Sequence, residues 1–150
     1  MLNISIVIVN FNSGPFLRAA LDLIQSRRRD YELIVVDNCS SDGSADFLYH
    51  RESIRLVQLG QNLGFGTAAN AGAADAKGDF LLFLNPDAFI GQDTPERMAV
   101  YLAGDPKRGL CGAFLLDFWG CEQPGSRRRD PTLLRSCGKA WNSVIPGPKL

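Results

Sequence analysis

The chain has 150 residues, of which 45% are hydrophobic and 21% charged, a composition typical of one folded domain and unlike that of disordered or collagenous chains. Sixteen basic and sixteen acidic side chains balance, so no overall field favours nucleic acid as a partner. The charges are unevenly distributed, because residues 1–106 hold 8 basic and 13 acidic side chains whereas residues 107–150 hold 8 basic and 3 acidic.

Apolar runs alternate with helical patterns along most of the chain. Strands are predicted at residues 4–9, 31–36, 54–59, 80–84 and 110–116, and helices at 15–26, 43–49, 66–76 and 94–102. Ser41 or Asp42 is the expected cap of the second helix. Wholly apolar strands separated by helices predict an α/β class with an open, mostly parallel, Rossmann-like sheet and helices on both faces. The run at 80–84 looks the most buried.

The end of the chain has a different character. Residues 1–118 are predicted to form the core, and residues 119–150 a basic tail rich in Pro and Gly, with an arginine triplet at 127–129. That tail could contact a phosphate group or an anionic membrane surface. The four cysteines lack metal-site spacing, and no apolar run is long enough to span a bilayer. We therefore expect a cytoplasmic protein.

Polar side chains follow each of the first four predicted strands. In parallel sheets ligands bind beyond the carboxyl ends of the strands, where helix N-termini also point. Turn chemistry alone would also place Asn, Asp and Gly at such positions. The candidates, in strand order, are Asn10, Phe11 and Asn12, then Asp37, then Asn62, Gly64 and Gly66, then Asn85, Pro86 and Asp87.

The two acids among these candidates, Asp37 and Asp87, each suggest a kind of ligand. Asp87, together with Asn85, could hold magnesium or manganese if waters and substrate phosphate oxygens complete the coordination. Asp37 could accept hydrogen bonds from a base or a ribose hydroxyl. A helix cap is the alternative role, and it suits Asp42 better than Asp37.

Another alternative comes from residues 64–69, which match the dinucleotide fingerprint G-x-G-x-x-A and open a predicted helix. An NAD(P)-dependent dehydrogenase domain is therefore a competing hypothesis. Its weakness is position, since the fingerprint belongs after the first strand. The sequence contains neither a nucleophile elbow nor a P-loop, which excludes the usual serine hydrolases and P-loop NTPases.

Four motifs together resemble family 2 inverting glycosyltransferases, in particular the rhamnosyltransferase-like branch. They are SIVIVNFNS at 5–13, ELIVVDNCSSDGS at 32–44, NLGFGTAANAG at 62–72 and GDFLLFLNPDA at 78–88. The resemblance covers roughly residues 4–118. It implies a GT-A-type fold that moves a sugar, with inversion, from a nucleoside diphosphate sugar to a glycan or polyprenyl-diphosphate-linked acceptor. Polysaccharide biosynthesis at the inner face of the cell membrane is the implied setting.

The resemblance also implies roles for individual residues. Val9, Asn10, Phe11 and Asn12 would pack around the base, and Asp37 would contact the base or ribose. The segment from Asn62 to Asn70, with Gly64 and Gly66, would line the nucleotide pocket. Asn85-Pro86-Asp87 corresponds to the D-x-D-like turn, with Asp87 as the ligand of a Mg²⁺ or Mn²⁺ ion that bridges the diphosphate.

Two departures from the family pattern limit these expectations. Asn85 replaces the first acid of D-x-D and so removes one negative charge. The general base of the family follows the sugar-binding half, and Asp117 and Asp130 are candidates by residue type only, so the catalytic residue is unknown. Three possibilities therefore stay open: a short complete transferase, a donor-binding half whose acceptor region begins at 119–150 and is cut short, and a non-catalytic nucleotide-binding module.

Overall fold

The computed structural model describes residues 2–27, 30–117 and 119–123, and its centre is a four-stranded parallel sheet. The strands β1 (Ile4–Asn10), β2 (Glu32–Asp37), β3 (Ile54–Gln58) and β4 (Phe80–Leu84) lie in the order β3-β2-β1-β4. The connecting helices are α1 (Phe16–Arg27), a 3-10 helix (Asp46–His50) and α2 (Phe65–Ala74), and α3 (Thr94–Ala103) follows β4. The predicted α/β class with a parallel sheet is confirmed.

The sheet is covered on both faces because alternate side chains of each strand point to opposite sides. On one face Ile6 and Ile8 of β1 belong to a core cluster with Leu17 and Leu21 of α1. On the other face β1 and β2 pack against the small side chains of α2, in a cluster of Val7, Val9, Ile34, Val36, Ala68 and Ala69. All seven residues of β1 are buried, so this strand is the centre of the fold.

Helix α2 approaches the sheet closely at Gly72. A Cβ atom at this position would lie 2.5 Å from Cγ1 of Val7 and 2.8 Å from Cγ2 of Val36, closer than side chains pack. The glycine therefore allows the helix to lie against β1 and β2. At the other end of α2, the N-cap residue Gly64 adopts a φ of 79° before the first turn.

The segment after β2 differs from its prediction. A 3-10 helix replaces the expected helix at 43–49, and its N-cap residue is Ala45, which makes no side-chain capping hydrogen bond. The expectation that Ser41 or Asp42 caps this helix is therefore wrong. The carboxylate of Asp42 instead accepts hydrogen bonds from the backbone N–H groups of Gly14 and Ser44.

Two predictions from apolar runs are also wrong. Strand β4 looked the most buried, yet it lies at an edge of the sheet, and Leu81 and Phe83 are each 44% exposed. Residues 110–116 form no strand, only an isolated antiparallel bridge between Leu116 and Glu122. Apolar composition alone predicts neither whether a strand is central or at an edge of its sheet nor whether a neighbouring strand pairs with it.

The chain divides into two compact units between Cys111 and Gly112. In the described part of the second unit the Asp117 carboxylate accepts hydrogen bonds from the N–H groups of Trp119 and Cys121, at 2.9 Å and 2.8 Å. The basic tail from residue 124 onwards, including the candidate base Asp130, lies outside the described residues.

Candidate functional site

A cavity of about 690 Å³ opens in the first unit beyond the carboxyl ends of the strands. The segments that follow β1, β2, β3 and β4 all contribute to its wall, as expected for a parallel sheet of this kind. Eight of the candidate residues line it: Val9, Phe11, Asn12, Asn62, Gly64, Asn85, Pro86 and Asp87. The other four, Asn10, Asp37, Gly66 and Asn70, are not among the lining residues.

Beneath the cavity wall, Asn10 and Asp37 are part of a buried polar network at the ends of β1 and β2. The amide nitrogen of Asn10 lies 2.8 Å from Oδ1 of Asp37, 3.0 Å from Oγ of Ser40 and 2.9 Å from Oγ of Ser44. The Asp37 carboxylate also accepts a 2.6 Å hydrogen bond from the Ser40 hydroxyl. Asp37 is only 6% exposed, so it supports the wall of the cavity from within.

The loop after β1 is held by the loop after β2. The N–H of Asn12 donates to Ser40 Oγ at 3.1 Å, and Oδ1 of Asn12 accepts the N–H of Ser41 at 2.8 Å. The N–H of Gly14 donates to Oδ2 of Asp42 at 2.8 Å. Asn12 adopts a φ of 51° and Gly14 one of 56° in this clamp. The contacts hold Phe11 and Asn12 in place before any ligand arrives.

Asp42 is a lining residue that sequence reasoning assigned to a different role. Hydrogen bonds from the Ser44 side chain and backbone lower the pKa of Asp42, burial opposes them in part, and the N–H of Gly14 adds a smaller lowering. The group is therefore ionised at neutral pH. Sequence reasoning separated the two acids only by making Asp42 the better helix cap, whereas in the structure Asp37 ends β2 and Asp42 lies in the loop that follows, paired with the loop after β1.

The β3–α2 loop contributes a pair of amides. Asn38 is 3% exposed, and its Oδ1 accepts the N–H of Leu63 at 2.9 Å. Its amide nitrogen donates to Oδ1 of Asn62 at 2.9 Å, and the N–H of Gly64 donates to the same oxygen at 2.9 Å. Both asparagine amides are thus oriented by the backbone, and Asn62 lies exposed in the cavity wall.

The turn after β4 places a carboxylate on the opposite side of the cavity. The N–H of Ala88 donates to the carbonyl of Asn85 at 3.1 Å, which closes the turn and leaves Asp87 exposed. Within the described residues the Asp87 carboxylate makes no hydrogen bond or ion pair. No group of three or more His, Cys, Asp or Glu side chains in the described ranges could hold a metal ion. A cation at Asp87 would therefore need further ligands from a substrate.

The cavity wall combines aromatic rings with negative charge. Phe11, Phe16 and Phe65 line it while each stays about half exposed, and exposed rings suit a planar heterocycle. Asp42 and Asp87 are its acidic residues, and its wall contains neither Lys nor Arg among the described residues. A diphosphate in this cavity would be repelled unless a bound cation offset the charge.

None of the described helices is long and apolar enough to cross a membrane. The three cysteines that the structure describes, Cys39, Cys111 and Cys121, are free thiols, and none of them lines the cavity.

Comparison with known proteins connects this chain to one family. The family model described as "Glycosyl transferase family 2" matches residues 5–148. The chain is 29% identical over 143 residues to N-acetylglucosaminyl-diphospho-decaprenol L-rhamnosyltransferase of Mycobacterium tuberculosis (strain ATCC 25618 / H37Rv), covering 87% of this chain and 46% of the relative. It is 33% identical over 100 residues to the poly(ribitol-phosphate) beta-glucosyltransferase of Bacillus spizizenii, covering 61% of this chain and 16% of the relative.

Solved structures share the fold. Staphylococcus aureus TarS residues 1–349 superpose with a TM-score of 0.58 at 23% identity, over 69% of this chain and 33% of that one. A mannosyltransferase from Pyrobaculum calidifontis, solved in complex with GDP-Man and Mn²⁺, gives 0.60 at 23% identity, over 70% and 33% of the two chains. The predicted GT-A-type fold is confirmed. The chain spans less than half the length of the rhamnosyltransferase that it matches.

Proposed function

Because the chain belongs to glycosyl transferase family 2, as its motifs predicted, we propose that it binds a nucleoside diphosphate sugar and transfers the sugar to an acceptor. The observation that carries this proposal is the cavity itself. One wall combines exposed aromatic rings with oriented amides, and the far side presents the unpaired carboxylate of Asp87. A ligand with a heterocycle at one end and a diphosphate at the other fits both features.

The donor would lie across the ends of the strands. The base would pack against the segment from Val9 to Asn12, with Asp37 behind it, and the diphosphate would extend towards Asp87. Mg²⁺ or Mn²⁺ held there would offset the negative charge of the diphosphate and so assist its departure. The mannosyltransferase structure in complex with GDP-Man and Mn²⁺ supports a cation in this role. Asn85 would contribute a neutral oxygen in place of a second carboxylate.

Transfer would proceed by in-line displacement with inversion at the anomeric carbon. The acceptor hydroxyl would lose its proton to a general base as its oxygen attacks. Asp117 is poorly suited to that task, because Oδ1 of its carboxylate accepts two backbone N–H groups of its own turn. We therefore propose that residues 1–118 are the donor-binding part, and that the base lies in an acceptor region that begins in the segment 119–150 or beyond it.

We also propose a glycan or polyprenyl-diphosphate-linked acceptor and a place in polysaccharide biosynthesis at the inner face of the cell membrane. The name of the mycobacterial relative describes a decaprenol-linked acceptor, which supports this class. The excess of basic side chains in residues 107–150 would favour peripheral contact with anionic lipid headgroups.

Calorimetric titration tests donor binding directly. UDP, dTDP, GDP and NAD are titrated into the protein with and without MnCl₂. We expect at least one nucleoside diphosphate to bind, more tightly with Mn²⁺, and NAD to bind weakly or not at all. Binding of NAD without binding of any nucleoside diphosphate would instead support the dehydrogenase alternative and overturn the proposal.

A second experiment separates the three forms that the activity could take. The protein is incubated with donor, Mn²⁺ and a short-chain polyprenyl-diphosphate-linked sugar, and the anomeric configuration of any product is read by NMR. An inverted product identifies a complete transferase. Donor binding without transfer supports a donor-binding half or a non-catalytic module, and a retained configuration would contradict the proposed displacement.

A further inference from the structure

We propose that Ser40 is a positioning residue for donor binding: its hydroxyl holds the loop after β1 in the shape that forms one wall of the cavity. This inference rests on the proposed function and names a residue, outside the cavity lining, on which that function depends. Three observations carry it. The hydroxyl is fully used in hydrogen bonds, one of these bonds reaches the cavity wall, and the wall residue that it holds has an unfavourable backbone conformation.

The Ser40 hydroxyl joins the ends of two strands to the loop after β1. It donates a 2.6 Å hydrogen bond to Oδ1 of Asp37, and its oxygen accepts the side-chain amide of Asn10 at 3.0 Å and the backbone N–H of Asn12 at 3.1 Å. Because an amide nitrogen and a backbone N–H can only donate, the proton of the hydroxyl points to the carboxylate. The single donor and both acceptor positions of the hydroxyl are therefore occupied.

The groups that anchor this hydroxyl are buried. Asn10 is fully shielded and Asp37 is 6% exposed, and the two residues are register partners at the ends of β1 and β2. The backbone N–H of Ser40 also donates to Oδ2 of Asp37, at 3.3 Å. Side chain and backbone of Ser40 are thus bound to the same carboxylate, a local arrangement that fixes a tight turn. The hydroxyl oxygen is therefore a fixed acceptor for the neighbouring loop.

The residue that this oxygen holds is part of the cavity wall. Asn12 lines the cavity next to Phe11 and adopts a φ of 51°, in the left-handed region that a residue other than glycine adopts at a cost in free energy. Its backbone N–H is bound by Ser40, and its side-chain oxygen accepts the N–H of Ser41 at 2.8 Å. These two hydrogen bonds offset the cost of the backbone conformation.

Loss of the hydroxyl would remove one of these two bonds. The N–H of Asn12 would lose its acceptor, and its backbone would return in part to negative φ, which would move Phe11 from its place in the wall. The cavity would then be correctly formed in only a fraction of the molecules, and the apparent affinity for the donor would fall by that fraction. Ser40 would act on binding through Asn12, without contacting the ligand.

Three variants and two measurements test this inference. Ser40→Ala removes the hydroxyl and Ser40→Thr keeps it. Ser53→Ala is the matched control, because it removes a hydroxyl that accepts a 3.0 Å hydrogen bond from Gln25 outside the cavity lining. Calorimetry gives the affinity of each protein for UDP, dTDP and GDP with Mn²⁺, at a temperature where circular dichroism shows that the protein is folded. Amide hydrogen exchange, followed by NMR without nucleotide, gives the protection of the Asn12 N–H.

We expect Ser40→Ala to weaken the binding of the nucleotide that the original protein prefers by about tenfold, and to speed exchange of the Asn12 N–H by about as much. Ser40→Thr and Ser53→Ala should stay within about twofold of the original protein in both measurements. A purely structural role of Ser40 would lower the free energy of unfolding of Ser40→Ala and leave the affinity of the folded protein unchanged.

Unchanged affinity in Ser40→Ala, or an equal loss of affinity in Ser40→Thr, overturns the inference, while nucleotide binding by the original protein leaves the proposed function standing. An Asn12 N–H that exchanges in the original protein as fast as an unstructured amide overturns the inference even if Ser40→Ala does not fold. If the original protein binds none of the three nucleotides with Mn²⁺, the inference and the proposed function are both overturned.

Discussion

The side-chain amide of Asn10 donates a 2.8 Å hydrogen bond to the carboxylate of Asp37, and the two residues are register partners at the ends of β1 and β2. Both are buried, with Asn10 fully shielded and Asp37 6% exposed. The backbone of Asp37 also bonds to the end of β3, because its carbonyl accepts the N–H of Leu59, the residue after that strand, at 2.9 Å. The acid predicted to bind the donor therefore also joins the ends of three strands.

The first prediction concerns Asn10→Asp. This change places a second carboxylate about 3 Å from that of Asp37 in a buried site, where two like charges cannot both ionise without a large penalty. We expect the free energy of unfolding to fall by about 3 kcal/mol at neutral pH. Because the pair must share a proton, its folded pKa is raised. The variant should recover stability as the pH falls and lose it as the pH rises through that pKa.

Urea unfolding at several pH values measures this effect. Asn70→Asp, on the exposed surface of α2, is the control for added charge and should change the free energy of unfolding by less than about 0.5 kcal/mol. A deficit of Asn10→Asp that stays constant with pH would mean that loss of the amide hydrogen bonds, and not charge repulsion, explains the result.

The fold could be predicted from the sequence because its strands are mainly apolar and are separated by helical patterns. Strand β4 shows the limit of this reasoning. Its five apolar residues suggested a central position, yet β1 is central and Leu81 and Phe83 of β4 are partly exposed. Strand order depends on which runs pair, and pairing is a property of contacts distant in sequence.

Much of the candidate site could be predicted for a similar reason. Residues such as Asn12, Asn62 and Asp87 are polar, lie shortly after the ends of strands, and are brought to one edge by the parallel sheet. What the sequence could not give is the pairing of loops. Asp42 accepts a hydrogen bond from Gly14, 28 residues away, so its role depends on the pairing of the loops after β1 and β2, which no local sequence pattern encodes.

The second prediction concerns the close approach of α2 at Gly72. Gly72→Ala would bring a methyl group within 3 Å of Val7 and Val36, so overpacking of about 1–3 kcal/mol should outweigh a gain in helix propensity of up to about 1 kcal/mol. Gly66→Ala is the matched control in the same helix, because a Cβ there meets nothing within 4 Å. Urea unfolding should show a loss for Gly72→Ala and a gain for Gly66→Ala. Equal gains for both would contradict the packing argument.

The third prediction concerns Glu32, which joins the amino end of the sheet to the segment before β4. It accepts hydrogen bonds from the Ser5 hydroxyl and, at 2.7 Å, from the N–H of Lys77. Burial alone would raise the pKa of Glu32, but these hydrogen bonds and the charges of Arg55 and Lys77 together lower it below its ordinary value of 4.5. The resulting stabilisation is present above about pH 4.5 and is lost as the pH falls through the folded pKa.

Replacing Glu32 by Gln should therefore flatten the pH dependence of stability in the acid range. The free energy of unfolding is measured in urea from about pH 6 down to about pH 3, for the original protein and for Glu32→Gln. Glu52→Gln, at an exposed turn before β3, is the control and should leave the acid-range slope unchanged. An identical slope for Glu32→Gln and the original protein would show that the hydrogen bonds to Glu32 contribute nothing to acid stability.

The fourth prediction concerns the charge at the end of β4. Asp87→Asn removes the unpaired carboxylate, so the affinity for UDP in the presence of Mn²⁺ should fall by at least about tenfold. The weaker affinity for UDP without metal should hold or rise slightly, because repulsion is relieved.

Asn85→Asp adds the second carboxylate that the family pattern leads one to expect, and it should strengthen the Mn²⁺-dependent part of the affinity for UDP. Asp93→Asn, exposed and outside the cavity lining, controls for the loss of one negative charge. Calorimetry measures the affinity of the original protein and of the three variants for UDP, with dTDP and GDP as alternative ligands. If Asp87→Asn keeps the full effect of Mn²⁺, the cation lies elsewhere, and the orientation of the donor that places its diphosphate at β4 must be reversed.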